Sequence, residues 1–498
     1  MNRSSDRPYV LLLQPPHFRA RQQPHQTLPV NLLTLAGALR RAGVPTAVLD
    51  ADYHIPTSAV DRRGREDWET SFLRQFTNTL KTLAPRILGV SMTSSQYQVV
   101  LDILARAKQL CPSLVTVVGG YHPTLRPEQV LANPAVDVAV RGEGDETLTE
   151  LALATRDGRS LEGILGLSRR VGGRIVHHAD RPLLADLDRL PILDRTALVG
   201  WRDLPPWKFG AMVTSRGCPF HCAFCSSRVF WGGTIRYRSV LSVVAEMQEV
   251  QQTFGTRGFA FLDDTLNADP DRLAHLAEAI RRDCGPVYWS CKLRLDRFDE
   301  RLLLRCKRAG LYRVRVGVES GDQGLLDSVA KGLSLETIRS QIRLLQRHGL
   351  EVFCWFILGL PGETEAGLEA TLRLLNDLDP DGLGFSFFKE HFGLPLTERL
   401  GVEVLPGEGL DGSRPPSILP LDRHRHYLAV QTWLHRESAR RSARTLFRRL
   451  GNPRFMALRG LEALVAPRQG FSDLLGRRLP FSLAGLHRKG LRTPEAEP

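Results

Sequence analysis

The chain has 498 residues, 42% of them hydrophobic and 24% charged, with a formal net charge of +13. That length supports two or three domains with cores of their own, and no run approaches the eighteen consecutive apolar residues of a membrane-spanning helix. The opening MNRSSDRPYVLLLQPP has too short an apolar stretch for a signal peptide. Eight cysteines do not make a disulfide framework. Three of them share one motif, which suits a reducing interior, so a cytoplasmic protein is expected.

In chain order, short apolar runs at Val10–Gln14, Thr46–Leu49, Ile87–Ser91, Leu114–Val118 and Val136–Val140 predict buried strands. Helical spacing predicts helices over Asn31–Arg41, with Gly43 as its stop, and over Gln96–Leu110. Alternating strands and helices imply a Rossmann-like open parallel sheet covered on both faces, whose ligands bind beyond the carboxyl ends of the strands. Those ends carry QPP (Gln14–Pro16), SMTSS (Ser91–Ser95), GGYHP (Gly119–Pro123) and RGEGDET (Arg141–Thr147). The last also reads as an acid-rich helix start. Residues 159–208, rich in Gly and Pro, predict a small hairpin and a connecting arm.

From Gly210 the pattern repeats as strand, loop, helix. Strands are expected at Gly210–Thr214, Gly258–Leu262, Val287–Lys292, Val314–Val318, Glu351–Ile357 and Gly382–Phe388. Helices are expected at Ser239–Phe254, Asp269–Asp283, Asp299–Ala309, Leu335–His348 and Glu365–Leu378. Six such units make a partial (β/α)6, TIM-like barrel, and in barrels chemistry gathers at the carboxyl ends of the strands. There lie Asp263-Asp264-Thr265, then Lys292 and Arg294, then Glu319-Ser320-Gly321, then GLPGET (Gly359–Thr364). Directly after the first barrel strand, Cys218, Cys222 and Cys225 form C-x3-C-x2-C. Three thiolates on a loop loosened by Gly217 and bent by Pro219 can converge on one soft metal centre. A structural zinc wants four ligands, the fourth from His221 or a distant His; a [4Fe–4S] cluster held by three keeps one iron open. Cys111, Cys284, Cys291, Cys306 and Cys354 read as buried or incidental, with Cys291 at a strand end facing the barrel mouth.

Residues 401–498 include a Pro/Gly-rich bridge (Val404–Pro420), then helices with apolar Leu428, Trp433, Leu434, Leu446 and Phe447. They are expected to pack as a lid over the barrel mouth, with a peptide- or carrier-binding module as the alternative. Residues 421–498 hold sixteen Lys/Arg against six Asp/Glu. Arg440, Arg441, Arg444, Arg448 and Arg449 read as a solvated helical face, or else as a patch for an acidic partner. The expected division is therefore 1–150, 151–208, 209–400 and 401–498.

The cysteine spacing resembles the cluster motif of the radical S-adenosylmethionine (SAM) enzymes, in which SAM chelates the open iron. The resemblance covers roughly residues 8–400. It implies a [4Fe–4S] cluster on Cys218, Cys222 and Cys225, and SAM contacts from Phe224, Asp263, Arg294, Glu319, Ser320, Gly359, Pro361 and Gly362. Phe392–Leu400 resembles the element that closes this domain, with Phe-Gly-Leu in place of Pro-Gly-Thr and Thr397 in place of Tyr. The first sheet resembles the cobalamin-binding domain that precedes many such barrels, Ser91-x-Thr93 followed 28 residues on by Gly119-Gly120, and DRLPILDR (Asp188–Arg195) resembles the bridge between the two. Cobalamin contacts are thereby implied at Pro15, Pro16, Ser91, Thr93, Ser94, Gly119, Gly120 and Glu143. The sequence departs from the D-x-H-x-x-G pattern whose His ligates cobalt: Asp52-Tyr53-His54 has Thr57 in place of Gly, so no histidine is expected below the cobalt and His54 reads as a surface loop residue.

The resemblance implies cobalamin-dependent C-methylation of a specialised metabolite or peptide through a 5′-deoxyadenosyl radical and methylcobalamin, with an external electron donor of the flavodoxin or ferredoxin type. An oxidative cyclase on the same scaffold is the alternative, and a non-catalytic cobalamin or iron–sulfur sensor is the alternative of another class. A methylthiotransferase would need more N-terminal cysteines than Cys111. Neither a membrane span nor a nucleic-acid partner is expected.

Overall fold

The computed structural model describes residues 7–16, 28–51, 65–389, 392–401 and 421–450. Asp52, Tyr53, His54, Thr57, the Val404–Pro420 bridge and the tail beyond 450 lie outside these, as do the side chains of Leu446, Phe447, Arg448 and Arg449.

Strands β1 (Val10–Gln14), β2 (Thr46–Asp50), β3 (Ile87–Ser91), β4 (Val115–Gly119) and β5 (Val138–Val140) form a parallel sheet. Antiparallel β6 (Leu167–Val171) and β7 (Arg174–His177) extend it in the order β2-β1-β3-β4-β5-β6-β7. The strands read as continuous apolar runs because helices cover both faces. The chain leaves β1 to one side for β2 and crosses back for β3, which makes a topological switch point beyond their carboxyl ends. The expected hairpin is thus part of this sheet, and the first unit runs past residue 150 through its last strand. The helix Val30–Arg41 packs closely on the connecting arm at Gly37, where a Cβ would lie 3.1 Å from Pro191 Cγ.

The second sheet contains six parallel strands: β8 (Ala211–Met212), β11 (Gly258–Phe261), β12 (Tyr288–Lys292), β13 (Leu311–Glu319), β14 (Glu351–Leu358) and β15 (Gly382–Phe387). They pair in sequence order as a partial barrel. Its helices start where they do because Ser239, Asp269, Asp299, Ser334 and Thr364 each accept a hydrogen bond from a backbone N–H in the first turn. Between β8 and β11, an additional short hairpin pairs β9 (Ser215–Gly217) with β10 (Ile235–Tyr237). Cys291 does not face the mouth: it is fully buried beside Cys306 on the helix Glu300–Arg308. Strand alternation places Lys292 in the lumen instead.

The arm 178–210 fastens the two sheets. Asp194 binds Arg40 at 2.8 Å, Asp188 accepts from Ser239 N, and Arg195 donates to Glu246, Phe209 O and Ala211 O in full burial. The helix Leu421–Leu450 lies along β15. Ser438 donates to Leu383 O, His435 meets the Phe385 ring edge-on, and Tyr427, Val430 and Leu434 join the core. It therefore stands where a sixth barrel helix would, against the flank and not as a lid across the mouth. Nor is its basic side merely solvated. Arg441 is buried and pairs with Asp379 and Glu437, Arg444 with Asp379 and Arg440 with Glu437.

Candidate functional site

The cysteine loop is closed at its base by the β9–β10 hairpin. Gly217 has φ +97°, and a Cβ there would lie 2.0 Å from Thr234 O, so no side chain fits. The loop is pinned by Ala223 N donating to Val329 O at 2.9 Å, and it ends in the short helix Ser226–Trp231. All three thiols are half-buried. Cys218 Sγ lies 3.6 Å from Thr265 Oγ1, and Arg294 Nη1 lies 4.0 Å from Cys222 Sγ. Burial pushes the Cys225 thiol up to about 11 and raises Cys222 despite the opposing charges of Lys331 and Arg294. Among the described residues no three His, Cys, Asp or Glu side chains converge tightly enough to hold a metal ion as they stand. The loop's fit to a cluster therefore rests on its donor set: three soft thiols on one loop, with Arg294 and Lys331 beside them. That set fits an iron–sulfur group better than any hard cation.

The remaining strand ends surround this loop. Glu319 holds a left-handed φ of +67°, buried, and pairs with Lys331 at 2.6 Å. Gly317 makes room, since a Cβ there would sit 2.2 Å from Glu319 Oε1. Lys331 Nζ also lies 6.0 Å from the Phe224 ring centroid. Arg294 stacks 4.1 Å over Phe220 and donates to Asp296 and to Lys331 O. Asp263 is turned inward: its carboxylate accepts from Thr214 N, Thr214 Oγ1 and Ser215 Oγ. Asp264, exposed beside Ser227, is the acid presented outward. Ser320 is buried against Thr371. Gly359 and Gly362 have φ of +71° and +86°, so the Gly359–Thr364 turn bares backbone around Pro361. Glu363 closes that turn, accepting from Gly359 N at 2.6 Å and Tyr427 Oη at 2.7 Å.

A cavity of about 550 Å³ runs from the carboxyl edge of the first sheet to the barrel. Ser91, Thr93, Gly119, Gly120 and Glu143 line it on one side, and Arg216, Cys225, Asp263 and Asp264 on the other. Bare backbone at six glycines and apolar Val90, Val117, Phe230 and Trp231 suit a large, flat, largely apolar group. Pro15, Pro16 and Ser94 are not in its wall: Pro15 O accepts from Gln96, and Ser94 bonds His122 in the interior. Glu143 lines the cavity with its carboxylate already engaged, by Arg216 at 2.7 Å, Arg236 at 2.9 Å and Leu184 N at 2.7 Å. Arg216 also reaches Asp145 at 2.8 Å. Burial alone would raise the Glu143 pKa, but Arg236 and Arg216 hold it below the usual value.

Sequence reasoning missed Lys331, Phe220, Arg216 and Arg236. Arg216 had one signal, its place two residues before the cysteine motif. Lys331 follows an irregular turn, and its partner lies twelve residues upstream across a strained bend.

Comparison with known proteins places one family match on each of the two sheets. The model of the Radical SAM superfamily matches residues 212–375, and that of the B12 binding domain residues 20–152. An uncharacterized methyltransferase of Pyrococcus horikoshii is 32% identical, over 64% of this chain and 70% of that protein. The anaerobic magnesium-protoporphyrin IX monomethyl ester cyclase of Rubrivivax gelatinosus is 31% identical over 66% of this chain, which spans 61% of the cyclase. Among solved structures, the radical SAM methyltransferase TsrM from Kitasatospora setae, with cobalamin and [4Fe–4S] cluster bound, superposes with a TM-score of 0.63 at 21% identity over 80% of each chain. At that identity the likeness is one of fold.

Proposed function

Since the chain belongs to the radical SAM superfamily, among members that also carry a B12-binding domain, we propose that it methylates an unactivated carbon of a small molecule or peptide. The family's cofactors are a [4Fe–4S] cluster, SAM and cobalamin. The single observation that carries the proposal is the shared cavity: the glycine-lined edge of the first sheet and Cys225 open into one space. A methyl donor on one wall and the cluster on the other would meet the substrate carbon within it.

Cys218, Cys222 and Cys225 would hold the cluster, and Ser91, Thr93, Gly119 and Gly120 the cobalamin. When bound, these groups supply hydrogen abstraction and a methyl group. The chain's own share is placement. Glu319, fixed by Lys331, offers a carboxylate to a cationic amino group, and the Gly359–Gly362 turn offers bare backbone to a flat heterocycle. Arg216 and Arg236, gripping Glu143 and Asp145, hold the hairpin that frames the cysteine loop against the first sheet, as positioned reactants require. The electron comes from an external donor of the flavodoxin or ferredoxin type.

The likeness to the cyclase favours a second reading, oxidative ring closure on the same scaffold. Incubation with methyl-labelled SAM tells them apart. Methylation makes S-adenosylhomocysteine alongside 5′-deoxyadenosine and moves label into product. If 5′-deoxyadenosine forms with neither, the methyltransferase reading falls. Among the described residues no helix is long and apolar enough to cross a membrane.

A further inference from the structure

The lumen of the barrel carries side chains that neither cofactor site uses. Along β14, Val352, Cys354, Phe356 and Leu358 are buried against the helices, whereas Phe353, Trp355 and Ile357 point the other way. Trp355 is 45% exposed in mid-strand. Its register partner on β15 is Gly384, where a Cβ would lie 2.6 Å from the indole; Phe353 lies likewise over Gly382. Two glycines on the last strand thus let two rings lie flat over bare backbone, with one face of the indole left open.

The neighbouring strands supply charge. Lys292, Arg315 and Phe353 form one register row across β12, β13 and β14, so both cations share the luminal face with the rings. The carboxylates on the luminal faces of β13 and β14 are already matched: Glu351 with Arg313 at 2.9 Å and Glu319 with Lys331 at 2.6 Å. Among the described residues, neither Lys292 nor Arg315 has a carboxylate within ion-pair distance. Burial pulls the Arg315 pKa down, and Arg313 beside it adds to that. A half-buried guanidinium without a counter-charge is costly to keep, and its fork matches a carboxylate or phosphate.

We propose that the lumen binds a substrate with a flat unsaturated ring and an anionic group, the ring stacking on Trp355 and the anion held by Arg315 and Lys292. This deepens, and rests on, the reading of the chain as a radical SAM enzyme acting on a small molecule. The lumen opens at the strand ends beside the cysteine loop, so a molecule anchored below presents its far end there.

The test is calorimetric binding to the full-length, cluster-reconstituted protein with SAM present. The probes are 2-naphthoate, 2-naphthyl phosphate, neutral 2-naphthylmethanol and the non-planar anion cyclohexanecarboxylate. One or both planar anions should bind at least tenfold more tightly than the neutral probe, and the tighter of the two identifies the anion. Arg315→Gln should weaken that probe by about ten- to a hundredfold, and Arg315→Lys should restore part of the loss. Lys292→Gln, at an exposed strand end that does not endanger folding, should weaken it in the same direction. Trp355→Leu should cost about three- to tenfold for the planar anion and nothing for cyclohexanecarboxylate. Equal binding of neutral and anionic probes, or indifference to both cation substitutions, would overturn the proposal. SAM cleavage and cobalamin binding, measured on the same preparation, separate the two readings. A protein that cleaves SAM without charge preference refutes this site alone. One that prefers planar anions but binds neither cofactor refutes the function.

Discussion

Replacing Arg216 with Met tests whether the ion network between the first sheet and the β9–β10 hairpin is structural. The Arg216 side chain is 16% exposed, and those of Glu143 and Asp145 are 6% exposed each. Arg216 meets both acids, at 2.7 and 2.8 Å; without it Glu143 keeps Arg236, but Asp145 loses its ion-pair partner. Leaving a buried carboxylate without its cation costs about 3–5 kcal/mol, which for domains of this size is roughly 6–20 °C of melting temperature. Thermal unfolding of the apo chain by circular dichroism measures it, and because the pair is buried, added salt should change the loss little. Adding Asp145→Asn should recover part of the loss, with a coupling of about 1–3 kcal/mol. Cobalamin affinity should fall in Arg216→Met as well, since the cavity spans both sheets. A loss under about 1 kcal/mol, or strict additivity in the double variant, would refute the reasoning.

Three further outcomes are expected. Cys222→Ala should abolish both the cluster's visible absorbance and the formation of 5′-deoxyadenosine, and a variant that retains either contradicts the cluster assignment. Glu319→Gly and Glu319→Ala lose the same carboxylate, so their difference isolates the left-handed backbone. Gly should be the more stable by about 1 kcal/mol, and equal melting would mean the bend carries no strain; both should bind SAM more weakly than wild type in equilibrium dialysis. Burial raises the Glu363 carboxyl to about 7 from an ordinary 4.5. The unfolded chain therefore ionises first, so stability is whole below pH 4.5 and is lost as pH rises through 7, by up to about 3 kcal/mol. Glu363→Gln should flatten that slope in urea titrations between pH 5 and 8, and an unchanged slope would count against it.

The barrel and sheet strands were legible to within a residue or three because buried parallel strands are nearly continuous apolar runs. Their helices were legible from apolar residues at helical spacing. What stayed hidden has a common physical cause. β9 and β10 are three residues each, and their sequences, SRG and IRY, carry no apolar period. Glu143 finds its arginines 73 and 93 residues away, a separation that leaves no local pattern. Asp263, read as a ligand contact, also ties down the turn after the first barrel strand, where Thr214 and Ser215 donate to it. Its exposed neighbour Asp264 differs from it in sequence by nothing but order. The terminal helix was expected as a lid because its apolar residues said that it packs, while only the fold says against what.

The same network sets an order of assembly during synthesis. Glu143 and Asp145 leave the ribosome with the first sheet, whereas Arg216 follows 71 residues behind Asp145. At roughly 5–20 residues per second, these two acids spend several seconds facing water before their cations arrive. The early sheet is thus a waiting template, kept hydrated and soluble at the surface that later becomes interior. The nascent cysteine segment is thus met by acids already synthesised, so the hairpin that frames its thiols closes on a partner that left the ribosome first.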